Sequence, residues 1–127
     1  MQQLHQKRTN YSVGVEAEDK AKAVLQEMGF TIIASRFQVG HGVSAGEVDI
    51  IAVNEEEKLL IFVEVKKRKT ISLASESISD TQMNRIYSSA EVFISQHSEF
   101  SDFNCRFDAI LFDDAFGYSY IENAWGL

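Results

Sequence analysis

Leu59-Leu60-Ile61-Phe62-Val63-Glu64-Val65-Lys66 is an apolar run rich in β-branched and aromatic residues, and it reads as a buried strand with two ionisable groups near its end. Successive side chains of a strand point to opposite faces, so Glu64 and Lys66, two positions apart, share one face. Upstream, Glu47-Val48-Asp49-Ile50-Ile51-Ala52 carries Glu47 and Asp49 with the same alternation. Neighbouring strands lie about 4.8 Å apart, so with the right register Asp49 and Glu64 meet on one face. Charges among apolar strand residues are costly unless they are paired or bind a metal.

The elements follow outward from this pair. Strands are expected at Thr31 to Val39, Val48 to Asn54 and Leu59 to Lys67, arranged as a meander, with the glycine-rich segment Gly40 to Gly46 as the first connecting hairpin. Before them, Val13, Ala17, Ala21, Val24 and Met28 recur at helical spacing from Ser12 to Met28, and Gly29 stands where a C-terminal cap belongs. After them, Ser79-Asp80-Thr81-Gln82 has the Ser-x-x-Gln pattern of a capping box. Met83, Ile86, Tyr87, Ala90, Phe93 and Ile94 then form a helical stripe, followed by strands near Cys105 to Phe112 and Tyr118 to Ile121. The expected order is α-β-β-β-α-β-β. A helix between the third and fourth strands implies a crossover, hence a mixed sheet flanked by helices: α/β, or α+β should antiparallel pairs dominate.

Two carboxylates beside a lysine suit phosphodiester hydrolysis. Asp49 and Glu64 would hold one or two Mg²⁺ ions, the Val65 main-chain carbonyl would complete the coordination, and the Lys66 ammonium would orient water or stabilise transition-state charge. The same spacing also fits a plain salt bridge of Lys66 with Asp49 or Glu64 at the sheet's end.

Gly46-Glu47-Val48-Asp49-Ile50-Ile51-Ala52, followed by Phe62-Val63-Glu64-Val65-Lys66-Lys67-Arg68, resembles the PD-(D/E)xK superfamily, and more closely the bacterial YraN-like family within it. Glu18-Asp19-Lys20-Ala21 with Leu25, Gly29 and Arg36 looks like that family's opening helix and first strand. Arg106-Phe107-Asp108-Ala109-Ile110 and Asn123-Ala124-Trp125 look like its closing segments. The resemblance implies a restriction-endonuclease-like fold, related to archaeal Holliday-junction resolvases, with Mg²⁺ or Mn²⁺ at the site and DNA, including branched or structured DNA, as substrate. It makes Asp49 and Glu64 metal ligands, Lys66 the catalytic lysine, and Glu18 the helix-borne acid that supports the site or a second metal. Two features depart from the pattern: the segment 37–46 is a few residues longer than expected, and Thr81 stands where many relatives carry lysine.

On a helical projection Glu18 lies at the edge of the first helix's apolar stripe beside Gly14 and Leu25, with Glu16 as its competitor. Gln82 is explained by the capping box and is also placed to assist the site. Lys67 and Arg68, within the basic run Lys66 to Lys69, are candidates for phosphate contact, and Lys67 should face opposite to Lys66. His5, His41 and His97 show no metal-ligand spacing. Asp113-Asp114 and Glu55-Glu56-Glu57 read as solvated turns.

A chain of 127 residues, 45% apolar and 24% charged, suits one folded domain spanning 1–127, with a flexible segment at 1–10. The single cysteine, Cys105, cannot form an internal disulfide and is given no catalytic role. No run resembles a signal peptide or reaches membrane-spanning length, so a cytoplasmic location is expected. The net charge of −7 argues against a simple nucleic-acid coating protein. It weighs less against a metal-dependent nuclease, because the ions bring positive charge to the scissile phosphate. The alternative is a nucleic-acid- or protein-binding module that keeps the fold without turnover. Symmetric cleavage of a branched junction would ask for a homodimer.

Overall fold

A computed structural model describes residues 10–40 and 46–125. The expectations for the segment 1–9, for His5 and His41, and for the loop 41–45 lie outside the described residues.

Helix α1 (Asn10–Glu27) is followed by the antiparallel strands β1 (Thr31–Val39), β2 (Gly46–Asn54) and β3 (Leu59–Lys67). Helices α2 (Ile71–Glu76) and α3 (Asp80–Gln96) and a 3₁₀ turn at Ser98–Phe100 then carry the chain across to β4 (Asn104–Phe112), which lies parallel to β3. Strand β5 (Tyr118–Ile121) closes the sheet antiparallel to β4, giving the spatial order β1-β2-β3-β4-β5. This is the mixed α/β sheet flanked by helices to which the sequence leads, with antiparallel pairs on either side of one parallel crossover.

Strand alternation divides the core. Ile50, Ala52, Ile61 and Val63 face Ala17, Ala21 and Leu25 of α1, while Ile51, Val53, Leu60 and Phe62 face Ile86, Ala90 and Phe93 of α3. Helix α1 ends because Gly29 takes φ 99°, a left-handed turn that costs glycine nothing. It lets the Phe30 N–H donate to the Leu25 carbonyl at 3.0 Å. Met28, expected in the apolar stripe, lies beyond that end and is exposed, and Leu25 fills the core instead.

Helix α2 was not anticipated. Its N-cap is Thr70, whose Oγ1 accepts the Leu73 N–H at 3.1 Å, and Ala74 packs on Ala109 and Leu111 of β4. Ser79 caps α3 as expected, accepting the Gln82 N–H at 3.1 Å. His97 stacks on Phe93 and has Nδ1 2.8 Å from the Phe93 carbonyl, a packing role. Glu55, Glu56 and Glu57 lie in an exposed turn, whereas Asp113 builds one, accepting the N–H groups of Ala115 and Gly117 at 2.9 Å each. No helix among the described residues is long and apolar enough to cross a membrane.

Strand β2 begins two residues earlier than its apolar pattern suggests, at Gly46, where it meets α3 at backbone distance. A Cβ on Gly46 would lie 2.4 Å from Ser89 Oγ and 2.7 Å from the Arg85 carbonyl oxygen. Ser89 is fully buried and its hydroxyl is engaged with that carbonyl at 2.9 Å, so it cannot simply swing away. Gly46→Ala is expected to cost about 1–3 kcal/mol as overpacking. An unchanged urea midpoint would refute this close contact.

Candidate active site

The site forms where the sheet splits. The β2–β3 ladder stops at the pair Ile50 and Val63, although β2 stays paired with β1 as far as Gly46 and β3 stays paired with β4 as far as Lys67. In the gap, Asp49 supplies what the ladder no longer does: its Oδ2 accepts the Val65 N–H at 2.8 Å. A backbone donor is thereby satisfied, and the carboxylate is fixed beside β3.

Glu64, 2% exposed, points from β3 toward α3, and its Oε2 lies 3.4 Å from Lys66 Nζ. The same oxygen accepts a hydrogen bond from the Gln82 side-chain amide. The Lys66–Glu64 contact anticipated as the plain alternative is therefore present, within a larger cluster. Gln82 thus gives its backbone N–H to the Ser79 cap and its side-chain amide N–H to Glu64. Asp49, Glu64, Val65, Lys66 and Gln82 border one cavity of about 520 Å³, as do Glu18, Lys67 and Arg68.

Glu18, not Glu16, reaches this cavity from α1. Arg36 holds it, with Nε 2.9 Å from Glu18 Oε1. Arg36 itself sits at φ 52°, a left-handed conformation uncommon for a residue other than glycine, beyond a register shift between Ile32 and Ala34. Nothing in the sequence announced that conformation. Glu47, on the same strand as Asp49, is exposed and accepts from Gln38 Nε2 at 3.1 Å.

The electrostatics follow from burial. Desolvation first, and then the neighbouring Asp49 carboxylate, push the Glu64 carboxyl up to about 10 against the pull of Lys66. Desolvation also raises the Glu18 carboxyl, with Asp49 and Glu47 adding to it and Arg36 opposing. Among the described residues no three His, Cys, Asp or Glu side chains form a ready ligand set. The acidic pair Asp49 and Glu64 stands without a third carboxylate in place.

Such a fold and cluster define a class of protein: a mixed α/β domain whose sheet opens over two buried carboxylates and a lysine. A model of the uncharacterised protein family UPF0102 matches residues 17–112. The UPF0102 protein of Azorhizobium caulinodans is 39% identical over 121 residues, covering 95% of this chain and 88% of that protein. A UPF0102 protein of Bradyrhizobium sp. is 39% identical over 101 residues, 80% of this chain and 70% of the relative. One from Rhodopseudomonas palustris is 37% identical over 101 residues, with the same coverage of 80% and 70%. The chain belongs to the uncharacterised protein family UPF0102, which is the YraN-like family.

Proposed function

We propose that this protein is a divalent-metal-dependent nuclease that hydrolyses phosphodiester bonds in DNA. One observation carries the proposal: Asp49 and Glu64, both buried, border the same cavity with Lys66 Nζ 3.4 Å from Glu64. Two carboxylates forced together in a desolvated pocket favour either a shared proton or a cation. The oxygen-only donor set suits Mg²⁺ or Mn²⁺, held by Asp49, Glu64 and the Val65 carbonyl with water filling the remaining positions. When bound, the metal would polarise the phosphoryl oxygen and lower the pKa of a bound water.

The chain's own groups do the rest. The Val65 N–H orients Asp49, and the Gln82 amide and Lys66 ammonium orient Glu64. Glu64 must release its proton before it can act as a ligand. Lys66, bordering the cavity beside Glu64, is positioned to stabilise charge that develops on the phosphate. Glu18, tied to Arg36, supports the wall of the site from α1. Preference for branched or otherwise non-duplex DNA rests on the resemblance to Holliday-junction resolvases, and so does a homodimeric assembly.

The test is cleavage of labelled duplex, single-stranded and four-way-junction DNA in Mg²⁺ or Mn²⁺. Metal-dependent cleavage is expected, with Lys66→Ala and Glu64→Ala each lowering the rate at least about 100-fold. Cleavage of none of these substrates, or cleavage indifferent to both substitutions, would overturn the proposal. The second reading, a binding module without turnover, would then gain weight, and the net charge of −7 already favours it somewhat.

A further inference from the structure

Several cations among the described residues are paired with an acid where they stand. Lys22 pairs with Asp19, Arg36 with Glu18, Lys58 with Asp102 and Arg106 with Asp108. Lys20, Arg68 and Lys69 have no acidic partner among the described residues, and Lys67 reaches the exposed Asp114 at 3.8 Å. Two of these cations, Lys20 and Lys67, meet in one place. The Nζ atoms of Lys20 and Lys67 lie 4.8 and 4.9 Å from the centroid of a single ring, that of Phe116.

Three elements converge there: α1 brings Lys20, the end of β3 brings Lys67, and the β4–β5 turn brings Phe116. The turn is built to hold the ring in place. The Asp113 carboxylate accepts two backbone N–H groups, the Asp113 carbonyl accepts the Phe116 N–H at 3.1 Å, and Phe116 is held at φ 62°. A bulky residue in the left-handed region persists where its surroundings fix it. Phe116 packs against Phe112 on the α1 side of the sheet, which places Lys67 opposite Lys66 as alternation requires. Lys67 and Arg68 also border the cavity that holds Asp49 and Glu64.

We propose that Lys20 and Lys67, which meet at Phe116, form with Arg68, the residue after Lys67, a backbone-binding lip for the phosphates that flank the scissile one. The ligand of this site is then an internal stretch of a polynucleotide strand, with backbone continuing past the cleaved bond. This rests on the nuclease reading for the identity of the cavity, and it deepens that reading by naming the substrate as an uninterrupted strand. Stacking against Phe116 steadies both lysine stems before a phosphate arrives, which reduces what must be ordered on binding. Asp114, two-thirds exposed, is a weak partner that a phosphate can displace from Lys67.

The experiment is fluorescence anisotropy with the full chain and a labelled single strand of about 20 nucleotides. It is run in Ca²⁺ between about 50 and 200 mM salt. For a single strand, every phosphate that is no longer neutralised lowers the slope of log K against log salt by about 0.7. Lys20→Gln with Lys67→Gln should lower it by about 1.4, and Lys20→Arg with Lys67→Arg should retain the wild-type slope. Asp114→Asn should tighten binding, and Lys58→Gln, at the far end of β3, should leave the slope alone. An unchanged slope in the double glutamine variant, or absence of salt-dependent binding by the wild type, would overturn the lip. A lowered slope in a protein whose cleavage ignores Glu64→Ala would instead sink the assigned catalytic site and leave the lip standing.

Discussion

Asp108→Ala is expected to cost about 3–5 kcal/mol, a large share of the total stability of a domain this size. Asp108 is fully buried on β4, and its two oxygens accept four hydrogen bonds. Arg106 binds it in bidentate fashion, with Nε at 2.8 Å and Nη2 at 2.9 Å. The Tyr120 hydroxyl and the Asn123 N–H at 2.9 Å complete the set. The hydrogen bond to Asp108 is the main reason the Arg106 guanidinium is held more firmly protonated than usual. Burial, followed by the same carboxylate, raises the Tyr120 phenol. Truncation would leave a guanidinium, a phenol and a backbone N–H without their acceptor, which costs more than the pair itself contributes. Asp108→Asn keeps the shape and one acceptor and should lose less. Urea melts compare the two, and an alanine variant as stable as wild type would refute the network's role in fastening the segment after β5 to β4.

Glu64→Gln should act in the opposite direction, stabilising the metal-free protein. A carboxyl whose folded pKa is raised to about 10 contributes stability that is fully present below its unfolded value near 4.5 and is lost as pH rises toward 10. Glutamine imitates the protonated acid and carries no such loss. The two proteins should therefore melt alike near pH 4, while between pH 4.5 and pH 8 the variant should gain up to about 5 kcal/mol, at about 1.4 kcal/mol per pH unit. In EDTA this reads as a Tm difference that widens as the pH rises. On the nuclease reading, in which Glu64 is a metal ligand, saturating Mg²⁺ should raise the Tm of wild type and leave the variant nearly unmoved. A Tm difference that stays constant from acid to alkaline pH would show that Glu64 is not held protonated by its surroundings. Natural sites that retain such a residue accept the loss of stability for the chemistry.

Much of the fold was legible because its strands are long apolar runs. The bounds of β1, β3 and β5 follow directly from hydrophobic patterning. The start of β2 was hidden because Gly46 reads as loop, and only its approach to Ser89 explains a glycine inside a strand. Helix α2, six residues long, is too short to display a period, although Thr70 carried a capping signal. In the site, alternation was enough to put Glu64 and Lys66 together. The capture of the Val65 N–H by Asp49 depends on where the β2–β3 ladder stops, which no local pattern encodes. Gln82 was legible both as part of the cap and as a residue placed to assist the site, but Glu64 as its partner follows only from the packing of α3 on the sheet. The Arg106-x-Asp108 spacing was a usable signal, since alternation places both on one face of β4. Tyr120 and Asn123 join them only through the return of the chain along β5.

The parallel pairing of β3 with β4 also bears on how the chain is made. The partners Leu59 and Asn104 lie 45 positions apart, whereas β1, β2 and β3 pair through short connections. During synthesis at roughly 5–20 residues per second, the first three strands emerge seconds before β4 exists. Throughout that interval the apolar strand that carries Glu64 and Lys66 presents one uncovered row of backbone donors and acceptors, an edge open to pairing with another nascent chain.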